Sequence, residues 1–303
     1  VSNKVMTNQK SLSPRAWSEL ALLGLIWGAS FLAIRIALDT IPVMTSVFHR
    51  VFWATLVLWA YIVFKRLPVP RDPRLWGAFF VMGLLNNVLP FSLMSWGQLY
   101  VETGLTSILN AATAIFGVLL AALFFSDERL SKSRIIGISI GFFGVSIAVG
   151  LRNFDSLSAN NLGQFAILAG TLCYALASVW ARLNLGHLEP QVAAAGMLTA
   201  SALIMFPITL AVDGMPSMIL PWQTWAAIAY YSIVATAGAY LLYYRVLAMA
   251  GSGNLMLVTL IIPPIAIILG AIVRDERMPT SAYIGFAVLA VGLLILNRSG
   301  RRD

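Results

Sequence analysis

Ten stretches of about twenty mostly apolar residues, separated by short polar links, constrain this chain more than any other feature. A helix crossing roughly 30 Å of hydrocarbon at about 1.5 Å per residue needs on the order of 20 apolar residues. Stretches meeting that criterion lie near 17–37, 44–64, 75–96, 103–125, 133–151, 162–181, 191–211, 223–244, 253–273 and 281–297. The links carry turn formers, as in "LPVPRDPR" and "VDGMPSM". Composition agrees: 59% of the residues are hydrophobic and 11% charged, where a soluble domain has roughly 25% charged. The pattern predicts an all-α membrane protein with ten transmembrane helices.

The bases set its orientation. With the amino terminus inside, Lys4, Lys10, Arg15, Lys65, Arg66, Arg71, Arg74, Arg129, Lys132, Arg134, Arg182, Arg245, Arg298, Arg301 and Arg302 all fall on the cytoplasmic side. Only Arg35, Arg152, Arg274 and Arg277 fall on the other, and Arg50 lies within the second stretch. That asymmetry predicts both termini cytoplasmic. The polar start reads as a cytoplasmic tail, followed by a retained first span that is too long for a signal peptide. The net charge of +8 meets membrane lipid headgroups from these loops, and no nucleic-acid partner is expected.

"FFSDERLSKSR" (124–134) ends one apolar run, and "IVRDERMPTSA" (272–282) ends another 148 positions later. The same offset aligns Gly137 and Gly144 with Gly285 and Gly292. Each unit holds five spans, an odd number, so the second copy must cross in the opposite sense. The expected division is 1–151, a five-helix repeat with its tail, and 152–303, an inverted one. Inverted repeats are one architecture of secondary transporters, with the solute near the midplane where the halves meet.

The single cysteine, Cys173, allows no intramolecular disulfide, and His49 and His187 have no ligand-like neighbours. Neither a metal nor any other cofactor is expected.

"IWGASF" in the first span, His49 and Arg50 opening "HRVFWATLVL", the block at 99–150 with its acidic turn and glycine-spaced following helix, and the partner block at 251–296 together resemble the EamA-type ten-helix branch of the drug/metabolite transporter superfamily. The resemblance covers nearly the whole chain and is nearest in pattern to bacterial amino-acid exporters, including the aromatic type. It implies a multi-pass protein of the bacterial inner (plasma) membrane with a small-molecule substrate. One departure is that the family often has a proline midway along the fourth span, where this chain reads "NAATAIF" while the ninth keeps Pro263 and Pro264. A straighter fourth helix is therefore expected.

Polar groups within hydrocarbon are costly unless they face partners or water, so they point to a path. In the third span Asn86 and Pro90 share a face, with Asn87 beside them. The fourth carries Thr106, Asn110, Thr113 and Gly117 on one face, and the eighth carries Ser232, Thr236, Tyr240 and Tyr243. The same faces would also serve helix packing, and Tyr243 would also suit an interfacial aromatic belt. The resembled family lines its cavity with the first, third, fourth, sixth, eighth and ninth helices, which adds Trp27 and Ser30, Tyr174 and Ser178, and Thr259 and Pro263. Gly24 with Gly28, and Gly137 with Gly141, suit close helix packing. Arg50 reads as a tie between helices or a gate.

All 12 acids lie in tails, loops or span ends, and no carboxylate or histidine stands at the centre of a span. Weakly coupled or uncoupled movement of a neutral or zwitterionic metabolite by alternating access follows as the expectation. Multidrug or nucleobase export stays open, and so does a structural or regulatory membrane protein. An enzyme would need a nucleophile and base, or metal ligands, at membrane depth, and the spans offer none.

Overall fold

The computed structural model describes residues 13–70, 72–128, 130–150 and 158–299. Lys4, Lys10, Arg71, Arg129, Arg152, Arg301 and Arg302, named above, lie outside the described residues, as do two of the 12 acids, Asp155 and Asp303. Among the described residues the secondary structure is helical, with no strand. The helices are α1 (Pro14–Leu38), α2 (Val43–Lys65), α3 (Pro73–Gly97), α4 (Thr103–Phe124), α5 (Lys132–Val149), α6 (Ala159–Asn184), α7 (Pro190–Val212), α8 (Trp222–Gly251), α9 (Val258–Arg274) and α10 (Thr280–Ser299). Nine of these are long and apolar enough to cross a membrane; α9 is apolar and shorter. A helical turn at 252–255, which the chain enters through Gly251 at φ 76°, precedes α9. Only glycine adopts that backbone geometry readily.

The helix starts follow from local chemistry. Ser13, Asp72, Ser131 and Ser158 each accept a hydrogen bond from a backbone N–H of the first turn of α1, α3, α5 and α6, and Pro14, Pro73 and Pro190 stand at first positions. Serine, aspartate and proline suit these places because the first N–H groups of a helix lack partners.

Three helices depart from regular winding. α4 is broken at Ala111–Ala112, where N–H groups bond three residues back rather than four. This break forms without a proline, and the counterpart of α4 has a like one at Met256–Leu257, just before α9 with its Pro263 and Pro264. α3 loosens into a π-helical turn at Leu84–Val88 and α8 into a longer one at Tyr230–Gly238. Shifting the first by 148 positions lands on 232–236, inside the second.

α1 packs on α9 and α8, α6 on α4 and α3, α2 on α7, and α5 on α10. The last pair is the tightest: a Cβ added at Gly144 would lie 2.4 Å from the backbone N of Leu289, and one at Gly285 would lie 2.5 Å from that of Ala148. Gly24 and Gly28 face Ile261 and Ile265 of α9, and Gly137 and Gly141 face Leu296 and Ile115. Small residues at such crossings let backbones approach and dispersion act, since apolar lipid offers no hydrophobic gain.

Charges gather at the helix ends. At one end Glu276 accepts from both the N–H and the hydroxyl of Thr103, at 2.8 Å each, capping α4. Asp213 does the same for Thr45 of α2, at 2.7 and 2.9 Å, and Arg274 pairs with Asp39 at 2.6 Å. At the opposite end of α4, Asp127 and Glu128 meet Arg182, and Glu128 meets Arg134 at 3.0 Å. Arg182 beside Asp127 holds that carboxyl below its ordinary value. The two acidic turns therefore stand at opposite ends of a helix about 33 Å long.

Candidate functional site

Between α2, α3, α6 and α8 the interior turns polar around Arg50. α2 carries this side chain inward, where its Nε–H donates to the hydroxyl of Thr236 on α8 at 3.0 Å. Its guanidinium lies 3.7 Å from the ring centre of Phe91 on α3, in cation–π range. The Phe91 ring in turn meets Tyr174 of α6 edge-on, at 6.4 Å between centres. Tyr174, Tyr231 and Tyr240 are the electrostatic neighbours of the charge. Arg50, Tyr174, Tyr240 and Asn86 are all partly accessible despite lying well inside their helices.

Asn86 and Tyr240 form the second half of the cluster. The Asn86 amide donates to the Tyr240 hydroxyl at 2.9 Å, and that hydroxyl donates to the Oδ1 of Asn87 at 3.3 Å. Asn87, fully buried, donates onward to Ser201 of α7 at 2.9 Å. Tyr240 stacks with Tyr244, Tyr244 meets Tyr243 edge-on, and Tyr243 lies 5.9 Å from Trp27 of α1. An aromatic chain thus runs from the cluster to α1, and Tyr243 sits within it.

The π-helical turns shape this region. In a π-helical turn backbone carbonyls fall out of register with the usual donors, and such turns occur frequently at functional sites. Side chains take up the slack here: Trp27 Nε1–H donates to the carbonyl of Ala235 at 3.1 Å, and the Thr236 hydroxyl donates to that of Tyr231 at 2.7 Å. Asn86 and Asn87 lie in the corresponding turn of α3.

Of the residues named from sequence, the structure brings together Asn86, Tyr174, Thr236 and Tyr240, with Trp27 and Tyr243 joined through Tyr244. The others lie apart from this contact network. Ser30 is buried and donates to the carbonyl of Trp27, and Ser178 is exposed and donates to that of Ala175. Pro90 is buried with its carbonyl toward Gly170 of α6. Asn110 and Thr113 flank the break in α4, the Thr113 hydroxyl donating to the carbonyl of Asn110 at 2.8 Å. Thr259 donates to the carbonyl of Met256, and Pro263 is buried in α9.

Phe91 and Tyr244 carry no signal in the sequence that marks them for the site, and Arg50 reads there as a tie or gate. Arg50 is the residue with a detectable signal, a base seven positions inside a span. His49 beside it is buried in α2, about 9 Å from the helix start, where its Nδ1 accepts from Trp53 at 3.1 Å and its ring meets Trp225. A histidine therefore does stand inside a span. Among the described residues no group of three or more His, Cys, Asp or Glu is placed to hold a metal ion. A separate groove of about 560 Å³, lined by Glu102, Asn160, Gln164 and Ser281 among others, opens near the start of α4 and shares no residue with the cluster.

A family model described as "EamA-like transporter family" matches the chain twice, over residues 17–150 and 161–298. The "Probable amino-acid metabolite efflux pump" of Escherichia coli is 25% identical over 286 residues, covering 90% of this chain and 92% of its own length. The "Probable terminal-alkyne amino-acid exporter" of Streptantibioticus cattleyicolor is 25% identical over 298 residues, 96% of each chain. "Uncharacterized transporter YoaV" of Bacillus subtilis is 19% identical over 271 residues, 89% of this chain and 92% of its own. A crystal structure titled only as that of a protein superposes with a TM-score of 0.68 at 17% identity, covering 95% of this chain and 99% of that one, which establishes the fold.

Proposed function

The chain belongs to the EamA-like transporter family, and from that premise we propose that it exports small metabolites, foremost aromatic and other neutral amino acids, by alternating access through a site between two inverted halves. It is a multi-pass membrane transporter and not an enzyme. The observation that carries the substrate reading is the Arg50–Asn86–Tyr174–Thr236–Tyr240 cluster, which puts hydrogen-bonding groups and aromatic walls together inside the spans. Tyrosines contact an apolar or aromatic solute and still offer a hydroxyl. The names of two relatives, a probable amino-acid metabolite efflux pump and a probable terminal-alkyne amino-acid exporter, support the same class.

The division into 1–151 and 152–303 is supported by the two family matches and by packing that exchanges under the repeat: α1 on α9 and α8 corresponds to α6 on α4 and α3. The acidic turns at opposite ends of α4 support the inversion. With both termini cytoplasmic, the Glu276–Thr103 cap lies on the outer side, and a conformation held there by α4 against α9 is closed outward. Among the described residues no carboxylate stands at mid-span, and the one histidine inside a span, His49, is hydrogen-bonded to Trp53, which supports transport without obligatory proton coupling.

The test is counterflow of labelled L-phenylalanine and L-tryptophan in proteoliposomes holding the purified protein. The expected result is accumulation without an imposed pH gradient, lowered at least ten-fold by Asn86→Ala or Tyr240→Ala. No accumulation by the wild-type protein of any amino acid tried would reject the substrate class.

A further inference from the structure

Arg50 is a fixed positive charge inside a span without a carboxylate to answer it. The ion pairs among the described residues lie near the helix ends, and none includes Arg50. Its one hydrogen bond goes from Nε to Thr236, and its stacking partner is the neutral ring of Phe91. Neither neutralises the charge. A guanidinium taken out of water is costly unless it is paired, and an ionised group within a membrane span is a functional site by default.

The geometry says what should pair with it. Arginine presents its N–H donors as a planar fork matched to carboxylate oxygens. With Nε held by Thr236 and one face of the guanidinium covered by the Phe91 ring, the terminal amino groups have no partner among the described residues, and Arg50 remains partly accessible. Phe91, Tyr174 and Tyr240 supply apolar walls around the same point. No acid in the cluster would answer an ammonium, for which only the Asn86 and Asn87 carbonyl oxygens, hydroxyls and tyrosine faces are at hand.

We propose that Arg50 is the anion-binding residue of the solute site: it takes the carboxylate of a small organic acid or amino acid whose apolar part packs against Phe91, Tyr174 and Tyr240. This rests on reading the cluster as the solute site, and it adds that the carboxylate outweighs the amine in recognition. A deaminated acid is then a ligand, and a decarboxylated amine is not.

The experiment uses the purified full-length protein in lipid nanodiscs with three probes: L-phenylalanine, phenyllactate and phenethylamine. Binding is read by titration calorimetry, and the rate of phenylglyoxal modification at Arg50 by mass spectrometry. L-Phenylalanine and phenyllactate are expected to bind within about ten-fold of each other and to slow modification, while phenethylamine binds at least ten-fold more weakly and does not. Arg50→Gln should abolish the preference for the acids, and Arg50→Lys, which keeps the charge without the fork, should retain part of it. Equal binding of phenethylamine by the wild-type protein, or a failure of both acids to bind and protect Arg50, overturns the assignment even if either variant misfolds. Protection of Arg50 by the acids without counterflow of any amino acid would leave the anion site standing and reject the export reading instead.

Discussion

At Tyr240 a single hydroxyl joins two amides, accepting from Asn86 and donating to Asn87. Tyr240→Phe keeps the ring and its stacking on Tyr244 but removes that junction. One neutral hydrogen bond is worth about 0.5–1.5 kcal/mol, so apparent affinity in counterflow should fall by about 2- to 10-fold with maximal rate little changed. The helical spacing of Thr236 and Tyr240 and the pairing of Asn86 with its kinked neighbourhood made half of this cluster legible in the sequence. Arg50 was legible as unusual but not as central. Its partners Phe91 and Thr236 come from other helices, 41 and 186 positions away, and no local pattern announces a contact of that kind. Phe91 and Tyr244 sit in runs where an aromatic side chain is ordinary.

Among the elements, helix identity and extent followed from hydropathy, because apolar length is dictated by the bilayer itself. Local winding did not. The π-helical turns of α3 and α8 and the break in α4 depend on which side chains from neighbouring helices take up the released carbonyls, as Trp27 does for Ala235. Glycine positions separate packing from mere composition. Gly144→Leu would drive a side chain into the backbone of α10, whereas a Cβ at Gly117 meets nothing within 4 Å. Overpacking costs about 1–3 kcal/mol, occasionally more, so Gly144→Leu should lower the melting temperature in detergent clearly and Gly117→Ala should leave it unchanged within error. The cap on α4 is testable too. Glu276→Gln loses the charge from two hydrogen bonds, worth about 1.5–3 kcal/mol each when charge-assisted. Hydrogen exchange of the amides at 103–105 should therefore quicken by at least ten-fold, as seen by mass spectrometry.

For the whole molecule, the distribution of bases predicts a sidedness that labelling can read. In a background where Cys173 is replaced, Ser217→Cys, exposed in the link between α7 and α8, should react with a membrane-impermeant maleimide on intact cells. Gly186→Cys, exposed between α6 and α7, should react only after the membrane is opened. The reverse pattern would overturn the orientation with both termini inside. The all-helical membrane fold was visible in the sequence because bilayer thickness leaves little freedom in the length of a span. How far each end is closed was not, because that depends on side chains such as Glu276 and Thr103 meeting across 173 positions.

The backbone-to-backbone seam between α5 and α10 bears on how such a molecule could move. At Gly144 and Gly285 the two helices meet backbone to backbone, with no flexible side chain at that crossing to absorb sliding, so they would move together as one stiff beam. Under the proposed alternating access, the rocking that exposes Arg50 to each compartment in turn would fall to the other eight helices, with this beam as their fixed abutment.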